Sequence, residues 1–579
     1  MRVLTSAEIL QAEREAISRP GGSSHVLTQA AGYAVTQFCL AQFKFSSVTV
    51  VCGKGKAGGQ GIVAAESLHR MAKEVSIIIL AGSIDELEAD AAAMCSRLTI
   101  EPIWVPSDAD LEAERVRQAL ESELIIDAIA GMENQRTLGT RERKAVNAIN
   151  AAFGTVISVD LPSGIDPDSK APAHHTEEDA VFAHGIITFI APKPAHVFGE
   201  LTSGPIAVSE IGVQPALVSN PSELEVITGQ EIGIAFPPRA KDAHKGEFGH
   251  VLVIAGSAGK AGAAGLAAMA ALNIGAGLVT VACPKSIQAT VAGFAAEAMT
   301  EGLAETANGT ISLTAKSHVE GLLSGKDVLV LGPGLSTHPE TSEFVRWLVG
   351  QLRVPLVLDA DGLNAFTGHY EELKESQSSA PFRVLTPHPG EAARLLDVSI
   401  KDIQSDRLEV AKRLSRETGC CTVLKGSRTI VAGASGETWI NMSGNPALAK
   451  GGSGDVLSGM IGAALARKRD LSLQSAVASG AAEPEPAKTW MHEIYGSDSK
   501  DKLRQRQAEH LRRNIDLTSS FLRDVSVAAA VHLHGLAADI ARDALHENSV
   551  LARDVMESLW RAFRECDEQM ERGLFYLQK

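Results

Sequence analysis

Aromatic side chains are scarce, at 4% of the chain, and the seven cysteines include no CxxC pair. The adjacent Cys420 and Cys421 lack the spacing of a zinc site, and the others are scattered, so neither a structural metal nor a disulfide framework is supported. Free thiols in a reducing, cytoplasmic compartment are expected. Excess positive charge is also missing. A formal net charge of −16 argues against nonspecific nucleic-acid binding and against an anionic membrane surface, while leaving room for a small anionic substrate held locally. The basic run "KLRQRQAEHLRR" therefore reads as a solvated helix face. At the start, Glu8 stands where a signal peptide needs an apolar core, so no export signal is expected. The one long uncharged run, Ala261 to Cys283, is mostly Ala and Gly and is broken at "IGAG"; it predicts a buried helix followed by a strand, not a membrane span.

What is abundant is glycine, 52 residues, within a chain that is 45% hydrophobic and 21% charged. That combination suits an α/β architecture with many tight strand-to-helix turns, and 579 residues exceed one ordinary core. Two cycles of strand and helix stand out. The first has strands at "SVTVVC", "VSIIIL", "LIIDAIA", "TVISVD", "GIITFI" and "PIAVSE", with helices such as "GIVAAESLHRMAKE" between them. Such alternation predicts a mainly parallel sheet covered on both faces. The pattern fades after Pro215, and residues 219–249 read as a connector. The second cycle has strands at "HVLVIAG", "LVTVAC", "DVLVLG", "PLVLDA", "RVLTP", "CTVLKG" and "TIVAG", then a helix from "GDVLSGMIGAALA". Residues 481–526 are charged and turn-rich and read as a surface insertion before the core pattern resumes at "VAAAVHLHGLAADIARDAL".

Two glycine loops invite a phosphate reading. "VVCGKGKAGGQG" (50–61) runs from a strand into glycines with Lys54 and Lys56 among them. "GNPALAKGGSGDVLSGM" (444–460) leads Gly451, Gly452 and Gly454 into an apolar helix with Asp455 in its first turn. Free amide N–H groups there would stabilise a phosphoryl group in transit, and a neighbouring carboxylate can take the proton of an attacking hydroxyl. By itself Asp455 is equally readable as a helix cap. Around it fall "LGPGLS", "VLDADGLNAF", "TPHPGEAARLL" and "VLKGSRTIV", each at the end of an apolar strand; in an open parallel sheet such loops share the edge where ligands bind.

Taken in order, "HKGEFGHVLVIAGSAGKAGAAGLAA", "GPGLS", "LDADGLN", "TPHPGE", "LKGSRT" and "GNPALAKGGSGDVLSGM" resemble the ADP-dependent NAD(P)H-hydrate dehydratases of the ribokinase-like superfamily. "SVDLPSGIDPDS" and "APKPAHVFGELTSGPIAVSEIGV" resemble the NAD(P)H-hydrate epimerase domain fused ahead of it in bacterial bifunctional enzymes. The resemblance implies a Rossmann-like three-layer αβα domain over residues 1–215 and a ribokinase-like α/β domain over 216–579. It implies cofactor repair: phosphoryl transfer from ADP to the hydroxyl of the S epimer of hydrated NADH or NADPH, with elimination restoring the cofactor, and R/S epimerisation by the first domain. Carried over by motif, Asp455 is the catalytic base; Ala263, Gly334 and His388 join it in contacting the hydrated dinucleotide. Lys425, Gly426, Ser427, Arg428 and Thr429, with Gly452 and Gly454, would bind the nucleotide, while Asp359 and Asp361 either join the substrate contacts or simply order their loop. A magnesium ion is expected with the ADP, although no carboxylate cluster in the sequence identifies its ligands. Homo-oligomers, tetrameric or larger, are expected by the same resemblance, with no nucleic-acid or membrane partner.

The first half departs from its family pattern, G-x-G-N-N-G-G-D-G, at "GKGKAGGQG". Lys56 and Ala57 replace the asparagines and Gln60 the aspartate, so Ala57 lacks the oxygen that helps hold a potassium ion in the family. The remaining ion ligands by motif, Asp127 and Ser163, are retained, as are the substrate-contacting Asp160 and Gly131. Lys56, Ala57, Gly58, Gly59 and Gln60 complete the expected epimerase-like substrate loop. Two readings follow: an active epimerase with a rebuilt ion site, or a scaffold in which the Lys56 ammonium neutralises Asp127. For the whole chain, the alternatives are a small-alcohol kinase of the ribokinase-like superfamily carrying a non-catalytic first domain, and a nonenzymatic nucleotide sensor.

Overall fold

The apolar runs become parallel strands buried on both faces. In the computed structural model, residues 1–19, 22–132, 138–169, 180–213, 224–237, 239, 241–375, 381–467, 519–572 and 574–578 are described. They fall into two units, Met1–Val226 with Arg572–Lys579, and Ile227–Glu571. The boundary expected at 215/216 lies outside the described residues, as do residues 481–518 of the expected insertion; residues 519–526 instead open a helix, Ser519–Leu545, with Phe521, Leu522 and Val525 in the core.

In the first unit, β1 (Ser47–Cys52), β2 (Glu74–Ile79), β3 (Ile103–Trp104), β4 (Leu124–Ala128), β5 (Thr155–Val159), β6 (Gly185–Phe189) and β7 (Ile206–Ser209) pair in parallel in the order β7-β6-β5-β4-β1-β2-β3. A short β8 (Leu224–Val226) is bridged at Glu225 by Arg2. The chain's last strand, β18 (Leu574–Gln578), adds antiparallel to β7. The order in which successive strands are added reverses at the β1/β4 junction, the place where open α/β sheets leave a crevice at the strands' carboxyl ends.

The second unit carries β9 (His250–Ile254), β10 (Leu278–Pro284), β11 (Met299–Leu303), β12 (Val328–Leu331), β13 (Leu356–Leu358), β14 (Arg383–Leu385), β15 (Cys421–Leu424), β16 (Ile430–Ala432) and β17 (Thr438–Ile440). Their order is β11-β10-β9-β12-β13-β14-β15-β16-β17, parallel as far as β15 and antiparallel beyond it. The uncharged stretch from Ala261 forms the expected helix, Ala261–Asn273, followed by β10; no helix among the described residues is long and apolar enough to cross a membrane. That helix packs on the helix Ser453–Ala466 at very short range: a Cβ on Gly459 would lie 2.0 Å from the Ala267 carbonyl oxygen. All seven cysteines are buried and free.

Strands the sequence pattern missed are β3, β8, β11, β17 and β18. Of these, β3, β11 and β18 are edge strands that pair on one side only, so they need no continuous apolar run; β11 reads "MTEGL" and is half-exposed. The connector at 219–249 holds β8, a helix at Gly229–Ala235 and a short helical turn at Lys245–Phe248.

Candidate active site

Because β9 and β12–β15 run parallel, the loops that follow them meet at one edge of the second sheet. There the helix Ser453–Ala466 begins after Gly452, whose φ of 95° is a conformation that favours glycine, and which offers no capping side chain to the first-turn amides. Asp455 is the third helical residue and not the cap, so the capping reading is set aside. Its half-buried carboxylate has no hydrogen bond or ion pair among the described residues. Burial and the negative charge of Asp359 push its pKa up to about 6, against the pull of Lys425 and with a further push from Asp361. A carboxylate tuned to that range is ionised at neutral pH and well placed on the Brønsted scale to take a proton.

Lys425, just past β15, brings its ammonium to this helix end. A Cβ on Gly454 would lie 3.5 Å from the Lys425 Nζ and 3.9 Å from an Asp359 carboxylate oxygen. Lys425 donates to Asp359 at 2.7 Å and stands 3.8 Å from Glu391. Burial opposes its charge, but the Asp359 and Glu391 carboxylates hold its pKa above the usual lysine range. His388 caps the helix Pro389–Leu396: its Nδ1 accepts from the Gly390 and Glu391 amides at 3.0 and 3.3 Å, which leaves the proton on Nε2, 3.4 Å from Glu391. Burial and Lys425 lower its pKa, so the ring is neutral.

On the neighbouring loops, Ala263 and Gly334 come together; a Cβ on Gly334 would sit 3.0 Å from that of Ala263. Asp361 accepts from the Ser336 amide at 2.8 Å and from Lys260 at 3.1 Å. Between the two aspartates of "DAD", Ala360 adopts φ 49°, ψ −120°, a strained turn for a residue with a Cβ that costs about 1–3 kcal/mol. Asp359 and Asp361 consequently take separate partner sets.

The expected nucleotide loop, Gly426 to Thr429, is a turn between β15 and β16 with Gly426 and Ser427 exposed and Arg428 at φ 54°. Thr429 donates to the Gly426 carbonyl at 2.9 Å. The turn is clamped by a residue that the motif reading missed. Arg407 donates to the carbonyls of Leu424 and Lys425, both at 3.2 Å, and to that of Ser427. It opens a highly charged helix, Arg407–Thr418, where nothing in the sequence separates a clamp from a solvated surface arginine.

In the first unit a cavity of about 280 Å³ opens where β1 and β4 end. Lys56, Ala57, Gln60, Gly131 and Asp160 line it. Gly58 and Gly59 serve the backbone: a Cβ on Gly58 would meet the Gly53 carbonyl oxygen at 2.0 Å, and Gly59 packs on Ala91. Asp160 accepts from Thr188 at 2.8 Å and pairs with Lys193, a lysine only 1% exposed that the sequence reading passed over. Burial would raise the Asp160 pKa, but the Lys193 ammonium holds it below the usual carboxylate range. His196 accepts from the Lys193 amide at 3.0 Å, so its Nε2–H donates to the Asp160 carbonyl at 2.8 Å; burial and Lys193 lower its pKa to about 4.

The scaffold reading had Lys56 neutralising Asp127. Instead, Lys56 pairs with Glu13 on the wall of the cavity. Asp127 and Ser163 do not line the cavity at all. The buried Asp127 carboxylate accepts from the Ser163 hydroxyl at 2.6 Å, the Ser163 amide at 2.9 Å, the Ser158 hydroxyl at 2.8 Å and the Ile129 amide at 3.3 Å. Those donors fill the lone-pair positions of a carboxylate, and Ala57 supplies none. This donor set does not fit a potassium ion, and no step is assigned to one.

Residues 251–506 match the family model described as NAD(P)H-hydrate dehydratase, and residues 24–195 that of the YjeF-related protein N-terminus. The chain is 34% identical over 471 residues to a bifunctional NAD(P)H-hydrate repair enzyme of Moorella thermoacetica, covering 80% of this chain and 87% of that one. The chain belongs to the bifunctional NAD(P)H-hydrate repair enzyme family. Relatives of the same description from Coxiella burnetii and Escherichia coli are 35% and 32% identical, each covering 82% of this chain and 91% and 88% of theirs. Membership of this family does not favour the alcohol-kinase alternative.

Proposed function

We propose that the chain restores hydrated NADH and NADPH, the second unit dehydrating the S epimer with ADP as phosphoryl donor and the first unit interconverting R and S. The observation that carries the reading is Asp455: a carboxylate without a hydrogen-bond partner among the described residues, tuned to a pKa of about 6, beside an uncapped helix end and the half-buried Lys425 ammonium. In the reaction, Asp455 takes the proton of the ring hydroxyl as its oxygen attacks the β-phosphorus of ADP. The bond from that phosphorus to the AMP oxygen breaks, and the bonding pair leaves with AMP. Lys425 and the first-turn amides stabilise the charge that develops on the phosphoryl oxygens. The carbon–oxygen bond to phosphate then breaks with its electron pair leaving on phosphate, the neighbouring ring carbon gives up its proton to solvent, and that C–H pair becomes the restored ring double bond.

Asp359 and Asp361 are both engaged by their own partners, and the described residues hold no cluster of three or more potential metal ligands. A magnesium ion would accordingly be held chiefly by nucleotide phosphates, and no step is routed through it. For the first unit, the buried Asp160–Lys193 pair at the cavity wall supports a binding site for a polar ligand, independent of potassium.

A coupled assay tests both halves. Purified S epimer with ADP should regain NADH absorbance, and pure R epimer should convert to S faster than it does spontaneously. Failure of the first result would overturn the dehydratase reading. Failure of the second would leave the first unit a scaffold.

A further inference from the structure

Asp359 lies directly after β13 and is 1% exposed, yet it accepts from side chains on three different elements. Thr386, after β14, donates at 2.7 Å; Lys425, after β15, at 2.7 Å; and Ser458, one turn beyond Asp455 on the helix Ser453–Ala466, at 2.5 Å. The Ser458 hydroxyl oxygen also lies 3.0 Å from the Gly454 carbonyl oxygen of the same helix, so its single proton is shared between that carbonyl and Asp359. A buried carboxylate with this set of partners ties the lysine and the catalytic helix to one point. We infer that Asp359 is a positioning residue for phosphoryl transfer, holding the Lys425 ammonium against the amino end of the helix that carries Asp455 and fixing the rotation of that helix through Ser458. The inference rests on the functional reading above and adds to it a residue that need not touch either substrate.

Without the Asp359 charge the Lys425 ammonium loses its hydrogen-bonded carboxylate and keeps Glu391, 3.8 Å away, and the attraction of Asp455, so it is less firmly held at the helix end. The mutation should thus remove an interaction made in the transition state while leaving the dinucleotide contacts at Ala263, Gly334 and His388 in place. It should also move the titration of Asp455. The charged groups bearing on Asp455 are Asp359 and Asp361, which disfavour its ionisation, and Lys425, which favours it. Glu391 stands 3.8 Å from Lys425 and His388 3.4 Å from Glu391, and the neutral His534 of the helix Ser519–Leu545 faces the adjacent Ser453. The Asp359 repulsion outweighs the Lys425 attraction, so removing the Asp359 charge lets the carboxylate ionise at lower pH even with Lys425 less firmly held.

The experiment is the kcat–pH profile and the KM for each substrate, measured on the full chain as wild type and as Asp359→Asn with hydrated NADH and ADP. Absence of wild-type turnover would count against the functional reading itself. Given wild-type turnover, kcat should fall on the order of tenfold to a hundredfold with KM for the hydrated dinucleotide unchanged, as expected for a misplaced catalytic group. The acid limb of the profile should shift to lower pH. A kcat within twofold of wild type, or a reduced kcat with the acid limb unmoved, would overturn the positioning role. Should Asp359→Asn fail to fold, Thr386→Val and Ser458→Ala each remove one donor to Asp359. Each should lower kcat about threefold or more, and the double variant should lose less than the product of the two, because both act through one carboxylate. Unchanged kcat in both single variants would overturn the inference.

Discussion

Lys193→Met isolates the charge at the heart of the first unit. Methionine keeps most of the aliphatic stem, so little volume is lost, while the ammonium that faces Asp160 disappears. The lysine side chain is 1% exposed and that of Asp160 8%, and removing one partner of so buried a pair costs about 3–5 kcal/mol at neutral pH, because the remaining carboxylate is left uncompensated. The pH dependence has a definite sign. In the wild type the Asp160 pKa is lowered, so its contribution is present above the unfolded-state pKa and is lost as pH falls through the folded value. In the variant, burial acts on Asp160 without the ammonium, the folded pKa rises above the unfolded one, and the penalty shrinks as acid protonates the group. Adding Asp160→Asn to Lys193→Met should recover part of the loss at pH 7, since the amide can still accept from Thr188. Hydrogen exchange resolved by mass spectrometry on peptides from β5 and β6 reads this unit separately from the other. A loss below about 1 kcal/mol at pH 7, or one that does not shrink on acidification, would refute the argument.

Other outcomes follow from close contacts. Gly459→Ala places a Cβ 2.0 Å from the backbone oxygen of Ala267, which cannot yield without moving its helix. The second unit should lose about 1–3 kcal/mol or more in denaturant unfolding followed by fluorescence. Arg407→Ala releases the turn that carries Ser427, and KM for ADP should rise on the order of tenfold while KM for the hydrated dinucleotide holds.

Much of this arrangement was legible in the residues. The doubly covered parallel strands of both sheets announced themselves as uninterrupted apolar runs, and "GGSGD" marked the helix end at which Asp455 sits. Contacts between distant segments were not legible. Lys193 lies in a quoted motif, but its ammonium reaches a carboxylate 33 residues earlier only because β5 and β6 are neighbours. Arg407 looks like any surface arginine until the helix docks beside the turn after β15. Lys56 misled for a related reason: its nearest carboxylate by motif was Asp127, whereas folding brings Glu13 to it. Local sequence pattern reports burial and turns well; it does not say which long side chain finds which partner across the sheet.

The central claim is that a single carboxylate, Asp455, starts the repair of a hydrated dinucleotide by accepting a proton. The most direct measurement is ADP-dependent recovery of NADH absorbance from the S epimer, wild type against Asp455→Asn. Asparagine keeps the shape and cannot take the proton, so kcat should fall by about 10²–10⁴ with the fold intact by circular dichroism. Turnover of the folded variant within a few-fold of wild type would contradict the account.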